Sequence, residues 1–339
     1  MNTLLAQYLQ LVDPPALALP DNVADPSIQA SIAAHMFRDS PDRPLPPISY
    51  QTRVLKRILA RIEESAGPED EIIEPLLNAF TSLLSRPKPS PLQQAQELAY
   101  TTYTAPFPEP EPTAPPAPAD HHPRTVTTTE SKSLLLSSGT TGLRTWEAAL
   151  HLGTFLASTA EGAALVRGKR VVELGAGTGF LSLFCARHLA VQSVVATDCE
   201  DALVHNIGRC VELNRLDASR IVPAVWGWGT ALEAPGAGSR ELGLGFDVAL
   251  GADLIYDTDL IPPLISTLRD LFENYRLQTF IISATLRNED TFGAFLNACE
   301  SNRLSVERLP FESPPEQGQS GFFHSTAVPI RTYQIRGSV

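Results

Sequence analysis

The segment VVELGAGTGF, which runs from Val171 to Phe180, constrains the fold of this chain most strongly. Its apolar start predicts a buried strand. The glycines at alternate positions, Gly175, Gly177 and Gly179, predict a tight turn, because glycine adopts positive φ and leaves room for close neighbours. The residues after the turn predict a helix, whose first N–H groups lack partners within the helix. Such a turn either binds a nucleotide-like ligand or is merely a tight connection, and we favour the ligand.

Strand patterns alternate with helix patterns from about Thr125 to the end of the chain. Strands are predicted at KRVVELG, QSVVATD, IVPAVWGW, FDVALGADLIY and TFIISAT, and near Leu304–Leu309 and Thr332–Arg336. Helices are predicted at GFLSLFCARHL and EDALVHNIGRCVELN, between Leu260 and Leu271, and around Phe292 to Cys299. This alternation is typical of an α/β fold with a doubly wound sheet, which binds its ligands at the carboxyl ends of the strands.

The chain before this sheet predicts a small helical domain and a linker. Residues 1–104 carry helical patterns in TRVLKRILARIEE, EIIEPLLNAFTSLLS and SPLQQAQELAYTTY, where Ser90 is suited to cap a helix. The basic residues of the first pattern fit the solvated face of an amphipathic helix, and a basic surface for a membrane or a partner is the alternative. Residues 105–123 are rich in proline and predict a semi-rigid linker, which leaves residues 124–339 for the α/β domain.

The charge and the cysteine content exclude several classes of protein. A net charge of −12 and a pI near 5.1 argue against direct binding to nucleic acid, which needs a basic surface. The four cysteines form no CxxC pair, so we expect them to be small buried residues and predict no metal site. No Lys or Arg precedes Arg38, and no apolar run is long enough to span a membrane. We therefore expect a cytoplasmic protein without a membrane partner.

The glycine spacing and the acid before it favour S-adenosylmethionine as the ligand. The dinucleotide fingerprint GxGxxG requires a third glycine where this chain has Phe180. Glu173 would repel a pyrophosphate, whereas S-adenosylmethionine carries an ammonium and a sulfonium, which an acid attracts. A nicotinamide-dependent oxidoreductase is the less favoured alternative.

Five further residues follow the predicted strands at their carboxyl ends. Asp198 is suited to accept both ribose hydroxyls of a nucleoside, or to cap a helix. Trp228 is suited to flank the adenine, with Trp226 as a competing candidate and a place in the core as the alternative. Asp253 and Tyr256, both in ADLIYD, are suited to face the methyl acceptor, or to form a turn.

These motifs together resemble the seven-strand S-adenosylmethionine-dependent methyltransferases of eukaryotes that modify protein lysines, in particular the elongation factor 2 lysine methyltransferase family. The resemblance rests on VVELGAGTG, on TD before Cys199, on WG at Trp228, on GADLIY, and on GTTGLRTWEAALHLGTFL before the first strand of the sheet. It implies a seven-strand, Rossmann-like methyltransferase domain at residues 124–339. It also implies a set of cofactor contacts: Trp146, Glu173, Gly175, Ala176, Gly177, Asp198, Trp228 and Ala252.

The resemblance implies an enzyme that transfers a methyl group from S-adenosylmethionine to a lysine of elongation factor 2. Asp253 and Tyr256 then lie next to the target lysine, in the family's acid-x-x-aromatic motif. We expect the helical domain to dock the protein substrate, and we expect a monomer. Two alternatives stay open: a methyltransferase of a different protein, and a non-catalytic interaction protein that binds S-adenosylmethionine. The sequence leaves the target lysine and the number of methyl groups open.

Overall fold

The computed structural model describes residues 1–38, 40, 43–65, 67, 71–87, 90, 98–108, 122–131, 141–232 and 245–337. These residues divide into two compact units, one of Met1–Thr104 with Thr129–Ser138 and one of Ala105–Thr128 with Gly139–Val339. Most of the predicted proline-rich linker lies outside the described residues. Within the described part of the chain, no helix is both long and apolar enough to cross a membrane.

The described residues of the first unit form four α-helices, the last two of which the sequence patterns predict. They are α1 (Asn2–Leu9), α2 (Pro26–Met36), α3 (Ile48–Ser65) and α4 (Glu74–Ser85). On α3 the apolar residues Val54, Ile58 and Ile62 are fully buried, which confirms the predicted stripe. They pack with Leu4 and Tyr8 of α1 in a core that belongs to this unit. The specific predictions are therefore correct for α3 and α4, whereas α1 and α2 were covered only by the general expectation of a helical domain.

The end of the first unit is a strand where the sequence pattern predicted a helix. Residues 91–97 of the predicted helix SPLQQAQELAYTTY lie outside the described residues, and Ala99–Thr104 forms strand β1. Strand β2 (Thr125–Glu130) completes a two-stranded sheet with β1. Threonine and tyrosine fill AYTTYT, and both residue types favour strands over helices. Tyr103 donates a hydrogen bond to Glu130 Oε1 at 2.8 Å, so pairing between distant segments outweighs the local helical pattern.

The second unit is built on a seven-stranded sheet covered by helices, which confirms the predicted α/β class. Its strands are β3 (Arg170–Leu174), β4 (Ser193–Asp198), β5 (Ile221–Val225), β6 (Val248–Ala252), β7 (Thr279–Thr285), β8 (Leu304–Leu309) and β9 (Ile330–Gly337). Its helices are α5 (Glu147–Ser158), α6 (Ala160–Val166), α7 (Phe180–His188), α8 (Asp201–Leu213), α9 (Ile261–Asn274) and α10 (Glu289–Ser301). Two predicted strands are shorter than expected and end at Val225 and Ala252.

The strand order places the predicted site residues at one edge of the sheet. The order is β5-β4-β3-β6-β7-β9-β8, with β3 to β7 parallel and β9 antiparallel to both of its neighbours. The chain runs outward from β3 through β4 to β5 and then returns to the other side of β3 as β6. This reversal opens a crevice beyond the carboxyl ends of β3 and β6, where doubly wound sheets bind their ligands.

The core of the second unit explains three of the four cysteines. Cys185, Cys210 and Cys299 are buried, as expected of small apolar residues. Cys199 is exposed, so the expectation of burial is wrong for this residue. The physical reason is its position: it follows the last residue of β4, where the chain leaves the sheet toward α8.

Candidate active site

The glycine turn between β3 and α7 has no room for side chains. Gly175 and Gly177 have φ of 62° and 54°, values that strain any residue with a Cβ. A Cβ on Gly175 would also lie 2.7 Å from Leu254 Cδ2, and a Cβ on Gly177 would lie 3.0 Å from the carbonyl oxygen of Gly142. The glycines therefore serve both the bend of the turn and the close approach of two other segments.

The turn is fastened to the end of β4 by two hydrogen bonds. The N–H of Ala176 donates to the carbonyl of Thr197 at 2.8 Å, and the N–H of Gly177 donates to Asp198 Oδ2 at 2.9 Å. Asp198 Oδ1 accepts the N–H of Glu200 at 3.2 Å. Each carboxylate oxygen can accept a second bond, so Asp198 retains capacity for the ribose hydroxyls that the sequence analysis assigns to it.

Glu173 is buried and faces the first turns of α7. Its Oε2 accepts the N–H of Ser182 at 2.9 Å and also accepts the Ser182 hydroxyl. Burial raises the pKa of Glu173 to about 7, because the two Ser182 bonds offset only part of the desolvation and the charge of Asp198 adds to the rise. The site therefore holds an acid that changes its charge near neutral pH, and a bound cation would ionise it.

The two tryptophans after β5 occupy different environments. Trp226 is only 2% exposed, packs in the core, and donates from Nε1 to the carbonyl of Thr230 at 3.0 Å. Trp228 is partly buried, and its Cζ2 lies 3.5 Å from the position of a Cβ on Gly175. The structure thus brings Trp228 to the glycine turn and leaves Trp226 in the core, which favours Trp228 over Trp226 as the neighbour of a ligand.

A segment before α5 lies against the glycine turn. The Thr145 hydroxyl is 2.7 Å from the Thr178 hydroxyl, and both residues are buried. Trp146 precedes α5 and donates from Nε1 to the carbonyl of Thr141 at 3.1 Å. Together with the approach of Gly142 to Gly177, these contacts place residues 141–146 beside the predicted cofactor turn, where the resemblance expects Trp146.

Asp253 follows β6 in a strained conformation and is held by the end of β7. Its φ is 51°, in the left-handed region that L-residues rarely adopt, and such strain concentrates at functional sites. Its N–H donates to the carbonyl of Ser283 at 2.9 Å. Its carboxylate accepts the N–H and the hydroxyl of Thr285 at 2.7 and 3.0 Å, and Arg287 at 3.3 Å. The sequence pointed to this acid but to none of its partners.

Tyr256 is exposed at the same edge of the sheet, with 68% of its surface accessible. The side chain of Thr141 lies near its hydroxyl group. Partial burial raises the pKa of Tyr256, and the neighbouring Cys199 and Asp198 raise it further, so the phenol is neutral at physiological pH. An exposed aromatic ring close to Asp198 is available to an arriving substrate.

The last residues of β6 complete the crevice. Ala252 ends the strand in register with Ser283 of β7. Leu254, two residues later, lies so close to Gly175 and Gly251 that a Cβ on either glycine would be within 2.7 Å of its methyl groups. Leu254 is a buried residue of the site that the sequence analysis missed, because an apolar residue after an apolar strand carries no special signal.

These residues fit S-adenosylmethionine. Glu173 and Asp198 supply two acids beside the turn, and the missing side chains of Gly175 and Gly177 leave backbone exposed to a close neighbour. Among the described residues, no cluster of three His, Cys, Asp or Glu side chains is placed to hold a metal ion.

Comparison with known proteins identifies the family. Residues 134–302 match the family model described as lysine methyltransferase. The protein-lysine N-methyltransferase EFM3 of Chaetomium thermophilum is 38% identical over an alignment of 335 residues, which covers 97% of this chain and 96% of that protein. This chain belongs to the lysine methyltransferase family. The resemblance drawn from its motifs is confirmed, and with it the use of S-adenosylmethionine and a protein substrate.

Two further relatives of this lysine methyltransferase match a smaller part of the chain. EFM3 of Saccharomyces cerevisiae is 30% identical over 224 residues, 61% of this chain and 64% of that protein. The human protein-lysine N-methyltransferase EEF2KMT is 29% identical over 210 residues, 58% of this chain and 59% of that protein. The reaction of the family is therefore methyl transfer to a lysine side chain of a protein.

Proposed function

We propose that this enzyme methylates a lysine of translation elongation factor 2. The observation that carries the proposal is the match to EFM3 of Chaetomium thermophilum along nearly the whole chain, including the first unit, at 38% identity. The likeness to EEF2KMT from human supports the same substrate. A methyltransferase of another protein would share the catalytic unit but has no reason to share the first 104 residues.

The reaction requires a neutral amine at the site. A free lysine has a pKa near 10.4, so its deprotonation at pH 7 costs about 4.6 kcal/mol. The methyl group leaves a sulfonium in an in-line displacement, which needs no nucleophilic side chain from the enzyme. The enzyme's own task is to hold donor and amine in line, to exclude water, and to lower the pKa of the amine.

We assign the donor side of the crevice to the glycine turn and its neighbours. Glu173 and Asp198 would hold the ammonium and the ribose hydroxyls of S-adenosylmethionine, and Trp228 would flank the adenine. Trp146, Ala176 and Ala252 stand beside them at the same edge of the sheet. This assignment is supported by the contacts of Asp198 and Trp228 with the turn.

We assign the acceptor side to Asp253 and Tyr256. The Asp253 carboxylate would orient the arriving lysine ammonium, and the Tyr256 ring would flank its methylene chain, while the proton leaves to water. Thr285 and Arg287 fix the carboxylate in one orientation, as orientation of the reacting groups requires.

We also propose that the first unit docks the protein substrate. A standard protein interface buries about 800 Å² on each partner, more than one lysine side chain supplies. Helix α3 exposes Arg53, Lys56 and Arg61 on the side away from its buried stripe. This basic face complements an acidic segment of a substrate and is our candidate docking surface.

Purified elongation factor 2 tests the proposed substrate directly. The enzyme is incubated with labelled S-adenosylmethionine and either elongation factor 2 or elongation factor 1A as a control, and the products are mapped by mass spectrometry. We expect methylation of one lysine in elongation factor 2 and no label in the control. Label in a different protein of a cell extract would reject the substrate, and cofactor binding without any methylated acceptor would favour the non-catalytic alternative.

A further inference from the structure

An ion-pair chain connects the acceptor side of the site to the segment before α5. Arg287 follows β7 and donates from Nη1 to Asp253 Oδ2 at 3.3 Å and from Nη2 to Glu147 Oε2 at 2.7 Å. Arg144 donates to the other oxygen of Glu147, Oε1, at 3.1 Å. Two acids and two arginines thus alternate, and their four formal charges cancel.

The same arginines contact Trp146. The guanidinium carbons of Arg144 and Arg287 lie 4.8 and 5.2 Å from the centre of its indole ring, within the range of cation–π contacts. The Asp253 side chain is 10% exposed and that of Arg287 is 45% exposed. The acid is therefore the more buried member of the pair, and the arginine is the more exposed one.

The ion pair between Arg287 and Asp253 affects the pKa of the acceptor lysine. A lone carboxylate beside the acceptor lysine would stabilise the ammonium and raise the pKa of the amine that must lose its proton. A paired carboxylate keeps its oxygens and their orientation but exerts a much smaller net field. Asp253 can then orient the lysine without holding it in the unreactive charged form.

We propose that Arg287 is a positioning residue that cancels the charge of Asp253 and thereby keeps the pKa of the bound acceptor lysine low. This inference rests on the proposed place of Asp253 beside the acceptor. It assigns Glu147 the opposite influence, because Glu147 offsets part of the charge of Arg287 and so limits the effect of the arginine on the lysine.

Other charged groups around the acceptor side are common to all variants of the test. Asp198 and Cys199 at the end of β4 face Tyr256, and Asp257 follows it in the same loop. His324, from the C-terminal part of the chain, faces Glu147. These groups contribute to the pKa of the bound lysine in the wild type. The test measures how that pKa changes when one member of the ion-pair chain is neutralised.

The experiment measures single-turnover methyl transfer from pH 6.5 to 10 for wild type, Arg287→Gln, Arg287→Lys and Glu147→Gln. Arg287→Gln leaves the negative charge of Asp253 without its partner, so the rising limb of the pH–rate profile should shift to higher pH by about one pH unit. The rate at pH values below the limb should then fall about tenfold. Glu147→Gln should shift the limb to lower pH, and Arg287→Lys should leave it near the wild-type pH. Arg269→Gln, which breaks the exposed pair with Glu273 on α9, is the control and should change nothing.

Shifts of the limb in opposite directions for Arg287→Gln and Glu147→Gln support the proposal, because a general loosening of the ion-pair chain cannot produce both shifts. A loss of rate by the same factor at every pH, or limbs that move in one direction, overturns it. If a thermal melt shows that Arg287→Gln is not folded, the pH–rate profiles of Glu147→Gln and Arg287→Lys test the proposal instead. If wild type leaves elongation factor 2 unmodified, the substrate proposal fails, and the series is run on the protein of a yeast extract that the enzyme labels.

Discussion

Single residues carry most of the chemistry, and Glu173 shows how burial prepares one of them. Its carboxyl is buried against Ser182, and its pKa is about 7. The sequence identified this acid because it stands directly before the glycine turn. It could not reveal Ser182, which lies across the turn at a spacing that fits neither a helix nor a strand, and so it could not reveal the raised pKa.

Cofactor binding should therefore release a proton from Glu173. The ammonium of S-adenosylmethionine favours the ionised acid and lowers its pKa, and at pH 7 a group with a pKa of about 7 is half protonated. We expect calorimetry in two buffers of different ionisation enthalpy to show about half a proton more released by wild type than by Glu173→Gln. Glu161→Gln, an exposed site on α6, is the matched control. Equal proton release in all three proteins would place the cofactor's charge away from Glu173.

Asp253→Asn tests the acceptor side at the same scale. The amide keeps the size of the side chain but replaces one of the two carboxylate oxygens that are proposed to orient the lysine ammonium. We expect kcat to fall by about 10- to 100-fold, since misplaced reacting groups cost rates of this order, while the affinity for S-adenosylmethionine stays unchanged. Steady-state kinetics with calorimetry of the donor checks both. A variant with full kcat/KM would remove Asp253 from the proposed mechanism.

Elements were predicted well where burial alone determines them. The five parallel strands, β3 to β7, are largely apolar runs, whereas β8 and β9 mix apolar with polar residues, and each of the seven was predicted near its observed position. Strand β1 was missed because AYTTYT stands at the end of the predicted helical pattern, although its Thr and Tyr residues favour a strand, and its partner β2 begins 21 positions after it ends. The pairing of Asp253 with Arg287 could not be predicted for the same reason, since the adjacency of β6 and β7 creates it.

Helix α5 and the C-terminal segment share a buried histidine pair that should make stability depend on pH. His151 Nδ1 lies 2.8 Å from the Ser313 hydroxyl, which lies 3.1 Å from His324 Nε2. Burial lowers the pKa of His151 to about 3, with His324 and Arg331 adding to the effect. In the unfolded chain this histidine binds a proton as the pH falls below about 6.5, whereas in the folded chain it stays neutral until about pH 3. The free energy of unfolding therefore decreases as the pH is lowered through this window.

His151→Gln should flatten this dependence. In the window from pH 6.5 toward pH 3, one such histidine contributes a slope of about 1.4 kcal/mol per pH unit to the free energy of unfolding. Urea titrations at several pH values measure the slope for wild type, His151→Gln and the exposed control His205→Gln. The slope should decrease only in the His151 variant. An unchanged slope there would mean that the histidine is protonated in the folded state.

The whole molecule consists of the first unit, which is mainly helical, and the second unit, which contains the methyltransferase sheet. The sequence motifs that indicate function all lie in the second unit. The methyltransferase fold, the donor and the lysine acceptor class could be predicted because their residues stand together in short motifs at strand ends. Docking could not be predicted in this way, since a protein interface is a surface drawn from separate helices. For α3 the sequence supplies only the basic residues Arg53, Lys56 and Arg61.

Charge reversal on α3 tests docking without removing the unit. Arg53→Glu, Lys56→Glu and Arg61→Glu together should raise KM for elongation factor 2 at least about tenfold, because attraction to an acidic segment becomes repulsion. The affinity for S-adenosylmethionine should not change. The control reverses Arg167 and Lys169, which precede β3 at the amino ends of the strands. An unchanged KM in the α3 variant would reject this face as the docking surface.

The central claim is that the crevice beyond β3 and β6 holds a cationic methyl donor. Titration calorimetry of the wild-type protein with S-adenosylmethionine, and separately with NADH, tests it most directly. We expect saturable binding of one S-adenosylmethionine per chain and no saturation by NADH. Saturation by NADH with no heat from S-adenosylmethionine would contradict it.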